Sequence, residues 1–320
     1  MTDNSNLSEA VATFLSQQLE SWELARVNYA ALQNVQIRVL PISKQEAFLQ
    51  FNPGRIRSTT AKTDTNSLNA RKCFLCPKNQ PNEQKHILWD NRYNISINPF
   101  PIFNQHLTIS DVEHLPQSLT VERFRDMLNL SDCLPDYLIF YNGPECGASA
   151  PDHVHFQAGN RGMLPLEKQS KELLDKEREL LKTKGKAALY LLKDYFCPLL
   201  QILADDIDDA ASLYVWLLNM LAKEDKTEEP MMNVICWKEK VYHWVINIFP
   251  RRAQRPKCYF LKGDKQILIS PATVEMCGFF PIVRQEDFTK VSANDLLNIY
   301  NDVCIPMEEL QHLIHCYSQK

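Results

Sequence analysis

The chain has 320 residues, with 35 Lys and Arg against 39 Asp and Glu, a net charge of −4 that leaves no broad basic field to neutralise a nucleic-acid backbone. Its 45% apolar content is ample for a hydrophobic core, and among only eight glycines no two form G-x-G, which excludes dinucleotide-binding and P-loop fingerprints. Met1 to Asn6 have neither a basic n-region nor an apolar h-region, the ten cysteines are irregularly spaced, and no apolar run approaches the roughly 18 to 20 residues of a membrane span; reduced thiols, a cytoplasmic location and no membrane association are expected.

From Leu7 to about Leu32, Val11, Phe14, Leu15, Leu19, Trp22, Leu24 and Ala25 recur mostly at three- and four-residue spacing, which predicts a packing helix. Val35 to Leu40 and Ala47 to Phe51 alternate as strands, the second stopped by Asn52-Pro53-Gly54, and the polar stretch from Ser58 to Lys72 reads as an exposed loop. Further strands are predicted at Tyr93 to Ile97, His106 to Ile109, Tyr137 to Tyr141 and His153 to Ala158, with a helix near Val121 to Leu130. The charged stretch from Glu167 to Gly185 reads as an ordinary surface helix. Beyond it, Ala188 to Ala204, Ala210 to Lys223, Met232 to Trp237, Trp244 to Phe249, Cys258 to Leu261, Gln266 to Ile269 and Asp295 to Asp302 make a second mixed set of strands and helices. The order is α+β with antiparallel pairing, and the two halves, 1–166 and 167–320, share an element grammar without visible residue repeats.

Four of the eight glycines, Gly143, Gly147, Gly159 and Gly162, flank Asp152 to Gln157. Glycine admits positive φ and close backbone approach to a ligand, so Asn142 to Ser149 reads as an anion-binding loop feeding a strand, with phosphate its ligand. On that strand His153, His155 and Gln157 alternate with Val154 and Phe156, which predicts all three polar side chains on one face. An imidazole beside a phosphate loop can attack phosphorus, and Gln157 could hold a non-bridging oxygen. Taken alone, His-x-His also fits two partly exposed strand histidines.

Cys73-Phe74-Leu75-Cys76 has the C-x-x-C spacing that lets two thiolates reach one tetrahedral metal. A redox dithiol shares the spacing but normally opens a helix after a strand, whereas this pair lies between a polar loop and Pro77 to Pro81, so zinc is the preferred reading. His114 and one of His153 and His155 are the candidate remaining ligands.

Together, Asn52-Pro53-Gly54-Arg55, Cys73 to Cys76, Trp89 to Tyr93, Asn142 to Ser149 and His153 to Gln157 resemble, in order, the histidine triad superfamily. Within it they are most similar to the branch of galactose-1-phosphate uridylyltransferase, diadenosine tetraphosphate phosphorylase and the GDP-hexose phosphorylases. The resemblance implies a HIT-like antiparallel sheet with flanking helices, duplicated in two halves. It implies that His155 is the nucleophile that becomes nucleotidylated, with Gln157 beside it. Cys73, Cys76, His114 and His153 would bind zinc, structural because four protein ligands leave no open position. Leu75, Trp89, Asn91 and Tyr93 would form the base pocket, and Arg55, Asn142 and Ser149 would contact phosphates.

His243 to Pro250 keeps a strand of the family's late half but lacks its paired histidines, so a second metal is not expected. Asn233 to Cys236, Trp244 to Arg252 and Ile269 to Phe280 look more like the phosphorylases, which implies a nucleotide or nucleotide-sugar substrate and inorganic phosphate as acceptor. Water or a sugar phosphate would make the same site a hydrolase or a transferase, and a non-catalytic, zinc-stabilised nucleotide binder is the rival of another class. Arg251, Arg252, Arg255 and Lys257 form a basic cluster that could meet a polyphosphate or be a solvated turn. A homodimer is common in the family.

Overall fold

The computed structural model describes residues 4–42, 44–56, 64–174, 178–222 and 229–319. Two helices open it, α1 (Asn4–Ser21) and α2 (Glu23–Ala31), where the periodicity predicts one. Val11, Phe14, Leu15, Trp22, Ala25 and Tyr29 form their buried stripe, so the break does not disturb the packing face. Next, β1 (Gln36–Ile42) and β2 (Gln45–Phe51) form an antiparallel hairpin.

The predicted loop from Ser58 to Lys72 falls partly on residues 57–63, outside the described residues. Within its remainder Thr65–Asn69 is a short helix, α3, because the Asp64 carboxylate accepts from the Ser67 N–H and caps it.

The first half continues with β3 (Ile87–Trp89), β4 (Tyr93–Ile97), β5 (His106–Asp111), α4 (Val121–Cys133), β6 (Tyr137–Asn142) and β7 (His155–Asn160). The second half contains β8 (Arg178–Lys184), β9 (Ala187–Leu192), β10 (Leu199–Ala204), α6 (Ile207–Leu221), β11 (Met232–Lys238) and β12 (Trp244–Pro250), preceded by α5 (Pro165–Leu174). These strands make one antiparallel sheet in the order β3-β4-β5-β7-β6-β11-β12-β10-β9-β8. Read from either end the order is the same, each half being three strands, a helix and two strands. The fold is therefore the duplicated α+β arrangement, joined where β6 pairs with β11.

Period-two alternation sorts side chains onto the two faces of this sheet. Ile95, Ile109, Ile139, Phe156, Ile202, Val234 and Ile246 face the helical side, where Phe124 of α4 and Tyr214 of α6 stack with centroids 4.2 Å apart. Phe140, Leu199, Leu203, Ile235, Val245 and Phe249 face the opposite side. There a three-stranded sheet covers them, formed when β13 (Phe279–Ile282) joins β2 in parallel. Helices α7 (Thr273–Met276), α8 (Gln285–Lys290), α9 (Ala293–Val303) and α10 (Met307–Ser318) complete the chain. Each large apolar side chain removed from water contributes about 1.5–3 kcal/mol, so the covered second-half face is a packing surface; in the first half the same side carries Thr108, His155 and Gln157 around a pocket.

Two further expectations are corrected. The single helix predicted from Glu167 to Gly185 is α5 followed by strand β8, an edge strand whose exposed side carries the charge that gave it a helical look. Cys258 to Leu261 and Gln266 to Ile269 are not strands; Lys257–Phe260 is a 3-10 turn.

Candidate functional site

Cys73 and Cys76 lie in a turn ahead of Pro77–Asn79, whose Asn79 side-chain amide donates to the Cys73 carbonyl at 2.8 Å. His114 follows β5 and His153 precedes β7. The four ligand atoms lie within 4.8 Å of one another. Cys73 Sγ is 3.3 Å and Cys76 Sγ 3.6 Å from His153 Nδ1, and Cys76 Sγ is 3.2 Å from His114 Nδ1. Sulfur and nitrogen ligands on one tetrahedral zinc would be about 3.6 Å apart, so the donor set fits that ion.

His153 Nε2 donates to the Asp111 carbonyl at 2.8 Å, which leaves Nδ1 as the free donor atom facing the thiols. Burial raises the Cys73 thiol, but hydrogen bonds from His153 and from the Leu75 and Cys76 backbone, with the nearby His153 charge, together outweigh it and bring the group below its ordinary range. A second site is not found: among the described residues no other group of three or more His, Cys, Asp or Glu could hold a metal.

The strand expected from His153 begins at His155, and that changes the geometry. Instead of sharing a face, His153 turns to the cysteines and His155 to the open side of the sheet. They remain coupled through the backbone, because His155 Nδ1 donates to the His153 carbonyl at 2.9 Å. This leaves His155 Nε2 as the unprotonated nitrogen, and burial holds the imidazole down at about 4. Gln117, which the sequence reading missed for want of any local signal, clamps the strand: its Oε1 accepts from the His155 N–H at 2.8 Å, and its Nε2 donates to the carbonyls of His155 and Asn142.

Gln157 shares the face of His155. Its Oε1 accepts from His106 Nε2 at 3.0 Å, while His106 Nδ1 accepts from the Ile102 N–H at 3.1 Å. This relay fixes both the imidazole tautomer and the amide orientation. His106 is fully buried and its titration is pushed down to about 3 by desolvation and by neighbouring Arg55. Phe103 meets the imidazole edge-on at 5.3 Å, and a Cβ on Gly159 would lie 2.4 Å from the Phe103 ring, so glycine is required there to seat this pair.

His155 and Gln157 open into a pocket of about 370 Å³. Phe74, Leu75, Pro81 and Phe100 give it apolar walls, and Asn79, Gln80, Gln84, Asn98, Thr108 and Ser149 supply the polar groups. Leu75 and Ser149 are both among its lining residues.

Other expected ligands lie elsewhere. Trp89 and Tyr93 pair across β3 and β4 on the helical face, opposite to His155. Tyr93 is fully buried and donates to Asp126 at 2.7 Å. Asn91 sits at φ 53° in the turn between these strands. None of the three lines the pocket: strand parity sends Trp89 and Tyr93 to the other face, and Asn91 stays in the turn. The Arg55 guanidinium is buried and donates to the Phe100 carbonyl, so it braces the wall without lining the cavity. Asn142 Oδ1 is occupied by Asn233 Nδ2, the Thr273 N–H and the Thr273 hydroxyl at 2.7–3.1 Å, and this network anchors the glycine-rich loop. Gly147, at φ +94°, completes the loop, where a Cβ would lie 2.5 Å from Ala272.

Two members of the basic cluster, Arg251 and Arg252, are structural. Arg251 donates to Asn233 and to the carbonyls of Pro271, Val303, Ala253 and Gln254, and Arg252 donates to the carbonyls of Asn301 and Asp302 at the end of α9. The two arginines cap a helix C-terminus rather than face an open pocket.

In the second half, Asn247 stands opposite Ile235 as Gln157 stands opposite Phe140, and Phe140 pairs with Ile235. Two positions before Asn247 is Val245, buried in the core where the first half has His155. The duplication therefore carries one histidine site.

A family model described as "Domain of unknown function (DUF4922)" matches residues 14–160. Galactose-1-phosphate uridylyltransferase 1 of Streptococcus pneumoniae is 28% identical over 127 residues, covering 35% of this chain and 26% of that protein. The enzyme of the same name from Streptococcus mutans is 30% identical over 114 residues, 31% of this chain and 23% of the relative. The chain thus spans about a quarter of the length of these curated relatives. The crystal structure of yeast Ap4A phosphorylase in complex with AMP superposes with a TM-score of 0.56 at 16% identity, covering 90% of this chain and 97% of that one. Its Ap4A complex gives 0.57, with 89% and 97% covered. The chain shares the α+β fold of that phosphorylase, the histidine triad-like fold that the sequence resemblance implies. In that fold the sequence similarity falls on the half that holds the Cys/His cluster and His155.

Proposed function

We propose that the protein is a nucleotidyl-transferring enzyme that works through His155, with a nucleoside diphosphate-sugar or dinucleoside polyphosphate as substrate. The observation that carries this reading is the hydrogen bond from His155 Nδ1 to the His153 carbonyl, which leaves Nε2 unprotonated in the same pocket as Gln157 and Ser149. A neutral, buried imidazole whose second nitrogen is held by a carbonyl is a nucleophile ready for use without prior loss of a proton.

His155 Nε2 attacks the α-phosphorus, the new P–N bond forms, and the bond to the leaving phosphate oxygen breaks with its electron pair. An oxygen of inorganic phosphate then attacks the same phosphorus, the P–N bond breaks, and His155 is regenerated as the neutral imidazole. In both steps Gln157, its oxygen held by His106, presents its amide N–H to a non-bridging oxygen as charge develops there. The Ser149 side chain offers a further hydroxyl in the pocket. Arg55 contributes through the Phe100 wall and not by direct contact.

Cys73, Cys76, His114 and His153 would hold zinc, which when bound contributes folding energy by tying the Cys73–Cys76 turn to the start of β7. The chain's own residues do the rest: His153 spans both functions, ligand on its ring and acceptor on its carbonyl.

Intact-protein mass spectrometry at mildly alkaline pH tests the covalent route, after mixing with UDP-, ADP- and GDP-sugars and Ap4A in the absence of phosphate. A nucleoside monophosphate adduct that disappears in His155→Ala, and is discharged from the wild type by added phosphate, is the expected result. Discharge by water alone would make the protein a hydrolase, and nucleotide binding without any adduct or turnover would make it a binder.

A further inference from the structure

We infer that the pocket selects a nucleobase bearing an exocyclic amino group and disfavours uracil, an inference that rests on the nucleotidyl-transfer reading of the site. The argument starts from two amides in the segment that follows Cys76. Asn79 Nδ2 donates to the Cys73 carbonyl at 2.8 Å, and Gln80 Nε2 donates to the carbonyls of Phe74 and Leu75 at 3.3 Å each. Both nitrogens are committed to backbone oxygens of the Cys73–Cys76 turn. Neither amide can flip without setting its oxygen against a carbonyl, so the orientation is fixed by chemistry.

The consequence is that Asn79 Oδ1 and Gln80 Oε1 are left as acceptors, and no described residue donates to either. Both residues line the pocket, next to Phe74, Leu75 and Pro81, whose apolar surfaces suit the face of a planar ring. A ring edge placed against two acceptor oxygens must bring donors. Adenine, guanine and cytosine each carry an amino group with two N–H bonds. Uracil offers one ring N–H between two carbonyl oxygens, so oxygen would face oxygen. Hypoxanthine is the purine counterpart with no amino group at all.

Gln84 does not reverse this preference, because its side chain makes no hydrogen bond to a described residue and either end of the amide can turn to the ring. No lining side chain is an acid or a base other than His155, so charge does not dominate the choice. The selection is set by the same turn that carries Cys73 and Cys76. It also separates this chain from the uridylyltransferases that it matches in sequence, whose name specifies a uridylyl group.

The test compares dissociation constants of the wild-type protein, zinc-loaded, for nucleoside monophosphates that differ in the amino group: AMP with IMP, GMP with IMP, and CMP with UMP. One hydrogen bond of about 1.4 kcal/mol corresponds to a tenfold preference, so the amino-bearing partner is expected to bind about tenfold tighter in at least one purine pair and in the pyrimidine pair. Gln80→Leu, which keeps the apolar contact and removes the acceptor, is expected to narrow that difference. Equal affinities within the pairs, or tighter binding of UMP than of CMP, overturn the selection while leaving nucleotidyl transfer standing. Failure of every nucleotide to bind overturns the transfer reading and the selection with it.

Discussion

His106 reaches diagonally from β5 to β7 and gives its Nε2 proton to Gln157 Oε1 at 3.0 Å, while its Nδ1 receives the Ile102 N–H. The imidazole is thus a rigid spacer with no proton to spare, and it dictates which end of Gln157 faces the pocket. Replacing it by His106→Phe keeps the ring against Phe103 and Phe140 but releases the amide. The expected outcome is a fall in kcat of about tenfold with KM changed less than about threefold, read from steady-state kinetics, at unchanged metal content. A fall in KM affinity alone would make His106 a wall of the pocket and no more.

The Cys/His cluster gives a second test. Metal analysis of the purified protein is expected to find one zinc per chain, lost in Cys73→Ser. Because the ion would tie the turn at Cys73 to the start of β7, its loss is expected to lower Tm by about 10 °C, measured by calorimetry. A metal-free protein with an unchanged Tm would remove zinc from the account.

Tyr93 separates packing from binding. Its hydroxyl donates to Asp126, a carboxylate that Arg92 also meets at 2.9 Å, on the face of the sheet away from His155. Tyr93→Phe is expected to destabilise the protein by about 1–2 kcal/mol in denaturant titration. Its nucleotide affinity is expected to stay within about twofold of the wild type. A large loss of affinity would return Tyr93 to the base pocket.

Glu275 predicts a pH dependence of stability. It is buried, accepts from the Ala272 N–H at 2.8 Å, and desolvation pushes its carboxyl up to about 7 despite nearby Arg55 and Arg251. Because the folded state then binds the proton more tightly than the unfolded chain, this group favours folding most below about pH 4.5. That contribution is lost as pH rises toward 7, by at most about 3 kcal/mol. Glu275→Gln, which keeps the acceptor for Ala272, is expected to flatten that part of the pH–stability curve. An identical slope in wild type and variant would assign the dependence to other groups.

What the sequence made legible was what local spacing encodes. C-x-x-C brings two thiols to one point whatever the fold does around it, and His155 and Gln157, two apart on a strand, must share a face. His153 escaped that rule because the strand starts two residues later than its alternation suggests. Trp89 and Tyr93 were misplaced because the sidedness of a strand depends on its register with β5, which is a long-range fact. Arg251 resembles an anion site in one dimension and becomes a helix cap only when α9 arrives from fifty residues on. Gln117 and His106 act through hydrogen bonds across strands, and no spacing announces them.

The central seam at β6 and β11 also sets how this protein can be taken apart. Asn142 pairs with Asn233 and Ile139 with Cys236 along that seam, and the Asn142 oxygen accepts directly from Asn233 and Thr273. A fragment ending before α5 would keep the Cys/His cluster and His155 but present β6 as a bare, apolar edge, with its glycine-rich loop unmoored. The half without a counterpart of His155 is therefore the splint of the half that has it. Shortening the chain to the half that holds His155 would trade a closed seam for a template on which other strands assemble.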